Sequence, residues 1–401
     1  MSVVSFAHHV VTDEEVTPKI LIARAKAIAP TLVALQGEVE KRTFYSEEVH
    51  EQLTEAGFFR ILTPKRYGGF EFGIDTFWRV GMELAAGCPS TAWMYSLGSG
   101  HALQVGSIFS EDVQAEVFAD PDFIAPCVQK VSGTATPLGD GSWEIDGVFP
   151  YCSGAPYSKW FIGRAAMADG TGAVTFLAPR QCYTRLDDWG GQLGMNGSGS
   201  HSLKLDKVVL AEKYVFPGVD LMTIDVTKGS VGSRLHGNSM YAGSAGSFFL
   251  GGAASALVGI AKNGLAAYEE LMSKAVTFGP PGPRTHNPFF QSWYGTAVGK
   301  VMAAEALVIK LADYWMDAAQ EGTFTHEFDM QLAALSREAG DLAWDAMQQV
   351  IFRTAGTSSL IDGSRMQRAW RDMSTARSHN AVVFFHEASK SMLAKAHFGV
   401  Q

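Results

Sequence analysis

The sequence is poor in basic residues and in cysteine. Its 401 residues carry 32 lysines and arginines against 41 aspartates and glutamates, which gives a net charge of -9 at pH 7. A protein that binds nucleic acid or an anionic membrane surface needs a basic field to attract phosphate, so neither partner is expected. The cysteines are too scattered for a zinc site or a disulfide scaffold, and we expect reduced thiols in the cytoplasm, at Cys88, Cys127, Cys152 and Cys182.

A targeting segment and a membrane-spanning segment are also missing from the pattern. The N-terminus lacks a basic stretch followed by the apolar core of a signal peptide, and no uninterrupted apolar run reaches the roughly 18 to 20 residues that cross a bilayer. The most apolar stretch is AGSAGSFFLGGAASALVGIA. Because glycine and serine interrupt it, we predict a buried helix and no membrane partner.

Motifs that bind nucleotide phosphates or metal ions are absent as well. The sequence has no G-x-G-x-x-G between a strand and a helix and no G-x-x-x-x-G-K-[ST]. We therefore expect neither a Rossmann dinucleotide domain nor nucleotide hydrolysis. The histidines lack the H-x-x-x-H and H-E-x-x-H spacings, so no metal site is predicted.

Three successive sequence patterns are present along the chain. Apolar residues recur at helical spacing from about 17 to 120, interrupted by GFFRILTPKRYGGFEFG, which predicts a loop. From about 123 to 217, short β-branched and aromatic runs alternate with glycine turns, which predicts a small antiparallel sheet. Helical spacing then returns, with a loop predicted at FGPPGPRTHNPFF. The pattern predicts an α+β protein, mainly α, with domains at 1–122, 123–220 and 221–401.

Two segments in this order resemble the acyl-CoA dehydrogenase superfamily. WGGQLGMNGSGSHSLKLDKVVLAEKYVF is similar to the family's Gly-Met turn, small-residue loop and strand, and RAWRDMSTARSH is similar to its C-terminal Arg-Asp helix. The resemblance covers nearly the whole chain. It implies an N-terminal helical domain, a middle β-barrel domain and a C-terminal four-helix bundle, assembled as a homotetramer.

The residue after the Arg-Asp helix indicates a branch of this family. Many dehydrogenases of this family have a glutamate shortly after the Arg-Asp helix, which removes the α-proton of the substrate. The position that corresponds to it here is Asn380, next to His379, and neither residue is a carboxylate. A histidine at this point resembles the oxygenase components of two-component flavin-dependent monooxygenases, which hydroxylate phenols, indoles and related rings. Such a component uses reduced FAD or FMN and O2 through a C4a-hydroperoxide.

Two further segments resemble the same branch. AWMYSLGSGH places Trp93 and His101 eight residues apart, and GVFPYCSGAPYSKW resembles a Trp-x-x-Ser-Gly strand with Ser153 at the position that contacts the flavin. The match is partial, because Pro150 stands where that branch has a tryptophan. GTSSL, with Gly356 and Ser358, lies where the family brings a glycine-containing turn to the flavin of a neighbouring subunit.

The resemblance implies a role for each of these residues. His379, Ser153 and His101 would be catalytic, and Trp93, Ser153, Gly356 and Ser358 would contact the cofactor. A hydroxyl in a dry wall suits a flavin that must be kept from water. A histidine that is largely neutral near pH 7 suits removal of a proton from a phenol or an indole nitrogen. Within one helix, Asp372 and His379 would share a face.

Each assignment has a structural alternative. His379 and His101 could be packed histidines, Trp93 a core residue and Ser153 an ordinary turn serine. Three arginines spaced by three residues are interpreted as a salt-bridged face rather than an anion site: Arg365, Arg368 and Arg371.

The predicted partners are a small aromatic substrate and a separate NAD(P)H-flavin reductase, since the chain has no dinucleotide motif of its own. An alternative function is a flavin desaturase acting on a thioester, with Glu269 or Glu270 as the base. A third is a helical scaffold that kept the fold and lost the cofactor. The sequence leaves the substrate and the choice between FMN and FAD open.

Overall fold

The computed structural model describes residues 16–226, 228–274 and 282–400, and its elements follow the predicted helical, sheet, helical order. Within the described N-terminal residues the α-helices are α1 (Pro18–Arg42), α2 (Glu47–Glu55), α3 (Ile74–Gly87), α4 (Pro89–Ser99), α5 (Ala102–Ile108) and α6 (Glu111–Val117). The loop predicted at 57–73 is confirmed and contains only two 3-10 turns.

The middle of the chain forms one mixed sheet. Its strands are β1 (Cys127–Pro137), β2 (Trp143–Phe149), β3 (Trp160–Met167), β4 (Ala173–Pro179), β5 (Thr184–Arg185), β6 (Leu203–Leu210) and β7 (Val215–Pro217), in the order β5-β6-β2-β1-β3-β4-β7. The hydrogen bonding leaves β5 and β7 as edges, so strand pairing within residues 127–217 does not close the barrel that the resemblance implies.

The prediction of an antiparallel sheet is wrong for one pair, since β1 and β3 are parallel. The antiparallel β1–β2 pair brings the end of β2 back beside the start of β1. The connection 150–159 then crosses that end, and Ile162 of β3 pairs with Cys127 of β1. This crossing connection carries Ser153.

The C-terminal part is helical, as predicted. Its helices are α7 (Val231–His236), α8 (Ala245–Met272), α9 (Pro288–Glu321), α10 (His326–Asp345), α11 (Arg353–Ala355), α12 (Arg365–Arg377) and α13 (Asn380–Phe398), with a π-helical stretch at Ala346–Phe352. The loop predicted at 278–290 lies partly outside the described residues. The four-helix count and the domain boundaries at 122/123 and 220/221 stay predictions.

Helix α8 is the buried helix that the sequence predicted, and two glycines let it lie directly against α3. A Cβ on Gly251 would be 2.3 Å from the ring of Trp78, and one on Gly259 would be 2.4 Å from the Cβ of Ala85. Glycine permits such close approach because it has no side chain. The contact fixes α8 at the centre of the molecule, where its N-terminal half borders the candidate site.

Helices α1 and α8 are long and apolar enough, by composition alone, to cross a bilayer. The apolar window of α8 is 67% buried inside the protein. Helix α1 packs a stripe containing Leu21, Ala25 and Leu32 against α3. Helix α8 therefore has the burial of a core helix, whereas the apolar window of α1 is only 22% buried, and the absence of a membrane partner stays a prediction.

Candidate active site

A cavity of about 370 Å³ lies where α4, α8 and the sheet meet the start of α13. Four of the predicted site residues line it: Trp93, His101, Ser153 and His379. Most of the remaining wall is apolar and includes Phe77, Leu97, Phe248, Phe249, Leu250, Val382 and Phe385. Its volume falls in the range of about 300–1,000 Å³ that is typical of sites for small molecules and cofactors.

Ser153 reaches the cavity through a tight turn after β2. Tyr151 has a φ of 64°, and Ser153 N donates to Tyr151 O at 3.0 Å. A positive φ is uncommon for a non-glycine residue and is often found at functional sites. Gly154 follows with a φ of 86°, which completes the reversal. The turn places the buried Ser153 hydroxyl beside α4 while Tyr151 borders the cavity mouth.

The Ser153 hydroxyl belongs to a buried hydrogen-bond chain. Trp93 Nε1 donates to Ser153 Oγ at 3.2 Å, and Ser153 Oγ is 2.8 Å from Ser200 Oγ. Ser200 Oγ is in turn 2.7 Å from Ser198 Oγ. An indole N–H can only donate. Ser153 therefore accepts from Trp93 and keeps its own proton for Ser200 or for a group in the cavity.

The small-residue loop that supplies Ser198 and Ser200 is anchored on α12. A Cβ on Gly194 would be 2.3 Å from the Arg371 carbonyl carbon, and Met195 N donates to Asp372 Oδ1 at 2.6 Å. Burial raises the pKa of Asp372 to about 7. Asp372 thus fixes the loop behind Ser153 rather than facing the cavity.

His101 stands at the start of α5 and is buried. Its Nδ1 is 2.9 Å from the Ala125 carbonyl oxygen, so Nδ1 carries the proton and Nε2 is left as the acceptor. Burial lowers the pKa of His101 to about 4. The ring is therefore neutral at pH 7, and it packs against Phe249 with centroids 5.0 Å apart.

His379 does not lie in the helix that the sequence predicted for it. Helix α12 ends at Arg377, where the last turn tightens: Ser378 N donates to Thr375 O at 3.1 Å and His379 N to Ala376 O at 3.2 Å. His379 follows with φ -61° and ψ 123° and immediately precedes α13. The prediction that His379 shares a helix face with Asp372 is wrong.

The break between α12 and α13 puts the His379 ring at the cavity. Its edge meets the Trp93 ring with centroids 5.6 Å apart and an angle of 62°. His379 is exposed at the cavity edge, and desolvation by the protein around the imidazole lowers its pKa from the ordinary value of 6.5. A neutral base at the edge of a mostly apolar cavity is the result. Trp93 touches both His379 and Ser153 and so links the two predicted catalytic residues.

The sequence pattern missed a polar wall opposite the apolar one. Arg164 Nη1 lies 2.8 Å from Asp220 Oδ2, and Gln129 joins them in lining the cavity. Arg164 Nε and Gln129 Oε1 are buried and have no hydrogen-bond partner among the described residues. A flavin ring system presents carbonyl acceptors and an N–H donor along its pyrimidine edge, so one orphan donor and one orphan acceptor fit such a group.

Gly356 and Ser358 do not line the cavity within this chain. They lie in the turn after α11, where Gly356 has a φ of 86° and Arg284 Nη2 donates to the Ala355 carbonyl oxygen at 3.0 Å. The contact of this turn with a neighbouring subunit's flavin stays a prediction.

The three arginines of α12 have structural partners, as predicted. Arg368 and Arg371 both pair with Glu40 of α1, at 2.9 and 2.6 Å. Burial alone would raise the pKa of Glu40, but the two guanidinium groups hold it below its ordinary value. Arg365 pairs with Glu270 at 2.5 Å. These pairs tie α12 to α1 and α8.

The glutamates proposed for a desaturase are elsewhere. Glu269 accepts a hydrogen bond from the Tyr294 hydroxyl at 2.7 Å, Glu270 is held by Arg365, and neither lines the cavity. Among the described residues that do line it, Asp220 is the single carboxylate, and Arg164 occupies it. The thioester alternative therefore loses the base that it requires.

Two family models match the chain. The acyl-CoA dehydrogenase N-terminal domain matches residues 20–118 and the acyl-CoA dehydrogenase C-terminal domain matches residues 251–384. Together they include α4 with Trp93 and the break that carries His379.

Curated relatives have consistent names. The chain is 26% identical over 381 residues to the flavin-dependent monooxygenase oxygenase subunit HsaA of Rhodococcus jostii, which covers 89% of this chain and 93% of that protein. It is 27% identical over 376 residues to the oxygenase component of p-hydroxyphenylacetate 3-hydroxylase of Acinetobacter baumannii, with coverage of 90% and 85%. A pigment production hydroxylase of Rhodococcus sp. is 32% identical over 235 residues, but this match spans only 57% of the chain and 58% of that relative.

Solved structures share the fold. XiaF from Streptomyces sp., in complex with FADH2 and glycerol, superposes with a TM-score of 0.87 over 96% of each chain at 23% identity. With both family models matched and the whole-length relatives named as monooxygenase subunits, the chain belongs to the acyl-CoA dehydrogenase superfamily and, within it, to the flavin-dependent monooxygenases.

Proposed function

We propose that the protein is the oxygenase component of a two-component hydroxylase, which uses reduced flavin and O2 to hydroxylate an aromatic or heteroaromatic ring of phenol or indole type. One observation carries the proposal: Trp93, Ser153, His101 and His379 converge on one mostly apolar cavity, where both imidazoles are neutral at pH 7. The names of the relatives support it, since they include hydroxylases and, in p-hydroxyphenylacetate, a phenol as substrate.

The cavity residues would divide the work. Reduced flavin bound here would supply, with O2, an electrophilic oxygen atom. Ser153, held by Trp93, would hydrogen-bond one edge of the ring system, and Gln129 and Arg164 would hold the pyrimidine edge. The aromatic wall from α8 would keep water out, which protects a species that water would destroy.

His379 would act on the substrate. A neutral imidazole accepts the proton of a phenol hydroxyl or an indole N–H, which raises the nucleophilicity of the ring carbon that attacks the electrophilic oxygen. His101 Nε2 is the second acceptor at the same cavity, and its position is fixed by the bond from Nδ1 to Ala125. Two fixed acceptors on one aromatic substrate would orient as well as activate it.

Three finer features belong to the same proposal. FAD and FMN are both candidates, and the reduced flavin would come from a separate NAD(P)H-flavin reductase. We propose that the protein is cytoplasmic and forms a homotetramer. Apolar side chains left exposed on the single chain support the assembly, among them Ile361 and Phe384 at 67% each. Light scattering of the purified protein would test the tetramer, and a mass near 43.2 kDa would contradict it.

The test of the function is rapid mixing. The protein is combined anaerobically with reduced FMN or reduced FAD and mixed with oxygenated buffer while the flavin spectrum is followed. We expect a long-lived spectrum that is neither reduced nor oxidised flavin and, when a phenol or an indole is added, a hydroxylated product that contains one atom from ¹⁸O2. Immediate oxidation of both flavins, as in buffer alone, would overturn the proposal.

A further inference from the structure

A second cavity adjoins the first and is not explained by the proposed chemistry. It has a volume of about 350 Å³ and lies between the start of α8, the start of α10 and α13. The two cavities share four lining residues: Met222, Thr223, Leu250 and Phe385. A ligand whose ring occupies the first cavity could therefore extend into the second past a partition of four side chains.

Two residues that line the second cavity each carry a buried oxygen that has no hydrogen-bond partner in the described part of the chain. Ser247 is 1% exposed, lines the cavity, and its Oγ has no hydrogen-bond partner among the described residues. Asp329 Oδ1, on the first turn of α10, is likewise buried and without a partner. A buried polar group without a partner costs free energy, most of all when it is charged. A ligand that donates to these oxygens would recover that cost.

Asp329 also lies beside the start of α8. Its other oxygen, Oδ2, lies beside the first turn of α8, 3.3 Å from where a Cβ on Gly246 would be. The N-terminus of a helix stabilises a nearby negative charge. Gly246 has no side chain to displace the carboxylate, so Asp329 can line the cavity with Oδ2 close to the start of α8.

Among the described residues that line the second cavity, the side chains with a formal charge are carboxylates. Its described lining contains the carboxylates Asp225 and Asp329 and the imidazole of His326, and it contains no lysine or arginine. The remaining polar groups are hydroxyls, including Ser244, Thr325 and Ser389. An anionic tail would meet no lysine or arginine among the described lining residues, whereas an ammonium group would meet the Asp329 carboxylate and hydroxyl acceptors.

We infer that the substrate is an aromatic compound with a cationic amine on its side chain, whose ring is held at His379 and whose ammonium group is bound by Asp329 and Ser247. The inference rests on the proposed function for the identity of the ring site and adds the chemistry of the tail. It assigns Asp329 as a specificity-determining residue rather than a catalytic residue, because it lies at the far cavity and not at the ring.

The experiment compares matched phenols. The series consists of 4-(ω-aminoalkyl)phenols of increasing chain length, the 4-alkylphenols of the same lengths, and the matching carboxylates. Binding is measured by calorimetry, anaerobically, with and without reduced flavin. We expect at least one amine to bind about 10-fold or more tightly than its neutral partner, and the carboxylates to bind most weakly.

Variants locate the preference. Asp329→Asn should weaken binding of the preferred amine by about 10- to 100-fold and leave the neutral phenol within about twofold, because the hydrogen bond changes from charged to neutral. Ser247→Ala should cause a smaller loss for the amine alone. Glu327→Gln is the matched control, since Glu327 is on the same turn of α10 but does not line the cavity; it should change nothing.

The outcomes separate this inference from the proposed function. An amine preference that Asp329→Asn abolishes supports the inference even if no ring is hydroxylated, in which case the proposed function alone fails. Equal binding of amine and neutral phenols, or no binding of any, overturns the inference, and hydroxylation of neutral phenols would then leave the proposed function intact. If Asp329→Asn does not fold, the order of binding to the unaltered protein and the effect of Ser247→Ala decide the question.

Discussion

Trp93 Nε1 donates to the Ser153 hydroxyl at 3.2 Å, which joins a residue of the N-terminal helices to the turn that follows β2. The Trp93 ring also contacts the His379 ring, with 5.6 Å between the ring centroids. One side chain thus positions a hydroxyl from the sheet and an imidazole from the C-terminal helices. Neither the Ser153 hydroxyl nor the His379 imidazole would be held in this position by its own segment of the chain alone.

The first prediction concerns this hydrogen bond. Trp93→Phe keeps an aromatic ring against His379 but removes the indole N–H that donates to Ser153 Oγ. The flavin contact should loosen, and the ratio of hydrogen peroxide to hydroxylated product should rise by about fivefold, which corresponds to one neutral hydrogen bond. The measurement is peroxide and product formed per reduced flavin consumed.

A tryptophan outside the cavity serves as the control. Trp370→Phe loses the hydrogen bond from Nε1 to Gln348, a residue of the π-helical stretch, and neither residue lines the cavity. Its peroxide ratio should match that of the unaltered protein. An equal rise in both variants would mean that general loosening, and not the orientation of Ser153, causes the leak.

The second prediction is the pH dependence of hydroxylation. Desolvation lowers the pKa of His379, so the neutral base persists to a pH below 6.5 and is lost only on further acidification. kcat/KM should therefore be level near pH 7 and fall at acidic pH with an apparent pKa below 6.5. His379→Ala should lower product formation by about 100-fold or more and abolish this acidic limb. His286→Ala, outside the cavity, should preserve both, and a limb that survives in His379→Ala would assign it to another group.

The third prediction is a stability that changes with pH at Asp372. Burial raises the pKa of this group to about 7 in the folded protein, while it stays near 3.9 in the unfolded chain. Between these values the folded state binds the proton more tightly, so the contribution of Asp372 to stability decreases as the pH rises from about 4 to 7. Asp372→Asn cannot ionise and keeps an acceptor for Met195 N.

The quantity to measure is the difference in the free energy of unfolding between Asp372→Asn and the unaltered protein. The stability of Asp372→Asn relative to the unaltered protein should increase as the pH rises, by on the order of 1–4 kcal/mol in total. Urea unfolding at pH 5 and pH 7.5 measures it. A difference that is independent of pH, or that shrinks toward pH 7.5, would show that Asp372 is already ionised in the folded protein.

The sequence predicted which residues form the site better than it predicted the contacts between them. Trp93, Ser153, His101 and His379 were found because each stands in a segment that resembles a known branch. Their mutual contacts depend on how the three parts pack, which no local pattern encodes. Gln129 and Arg164 were missed for the same reason: alternation along a strand gives the face of a residue, but not which side chain of a neighbouring strand meets it.

Two errors have local causes. The break at His379 contains no proline and no glycine, so the apolar spacing of α12 appeared to continue into α13. The parallel pairing of β1 with β3 arises because the connection 150–159 crosses the end of β1, and turn residues alone predict a hairpin there. In both cases backbone geometry at the site overrode the regular pattern, which is where sequence rules are expected to fail.

The last prediction tests the packing that builds the cavity wall. Gly259→Ala would place a Cβ 2.4 Å from the Ala85 Cβ and 2.6 Å from the Met82 carbonyl oxygen, so α8 must move away from α3. Overpacking of this kind costs about 1–3 kcal/mol, even though alanine is the better helix former. The free energy of unfolding should fall by that amount in urea titrations.

Gly299→Ala is the matched substitution with the opposite sign. Gly299 is an exposed residue of α9 with no atom within 4 Å of its potential Cβ, so only helix propensity changes and stability should rise by about 0.5–1 kcal/mol. A shift of α8 in Gly259→Ala would also move Ala256 in the cavity wall, so weaker flavin binding should accompany its loss of stability. If Gly259→Ala were instead as stabilising as Gly299→Ala, α3 and α8 would not be in the close contact that fixes the aromatic wall.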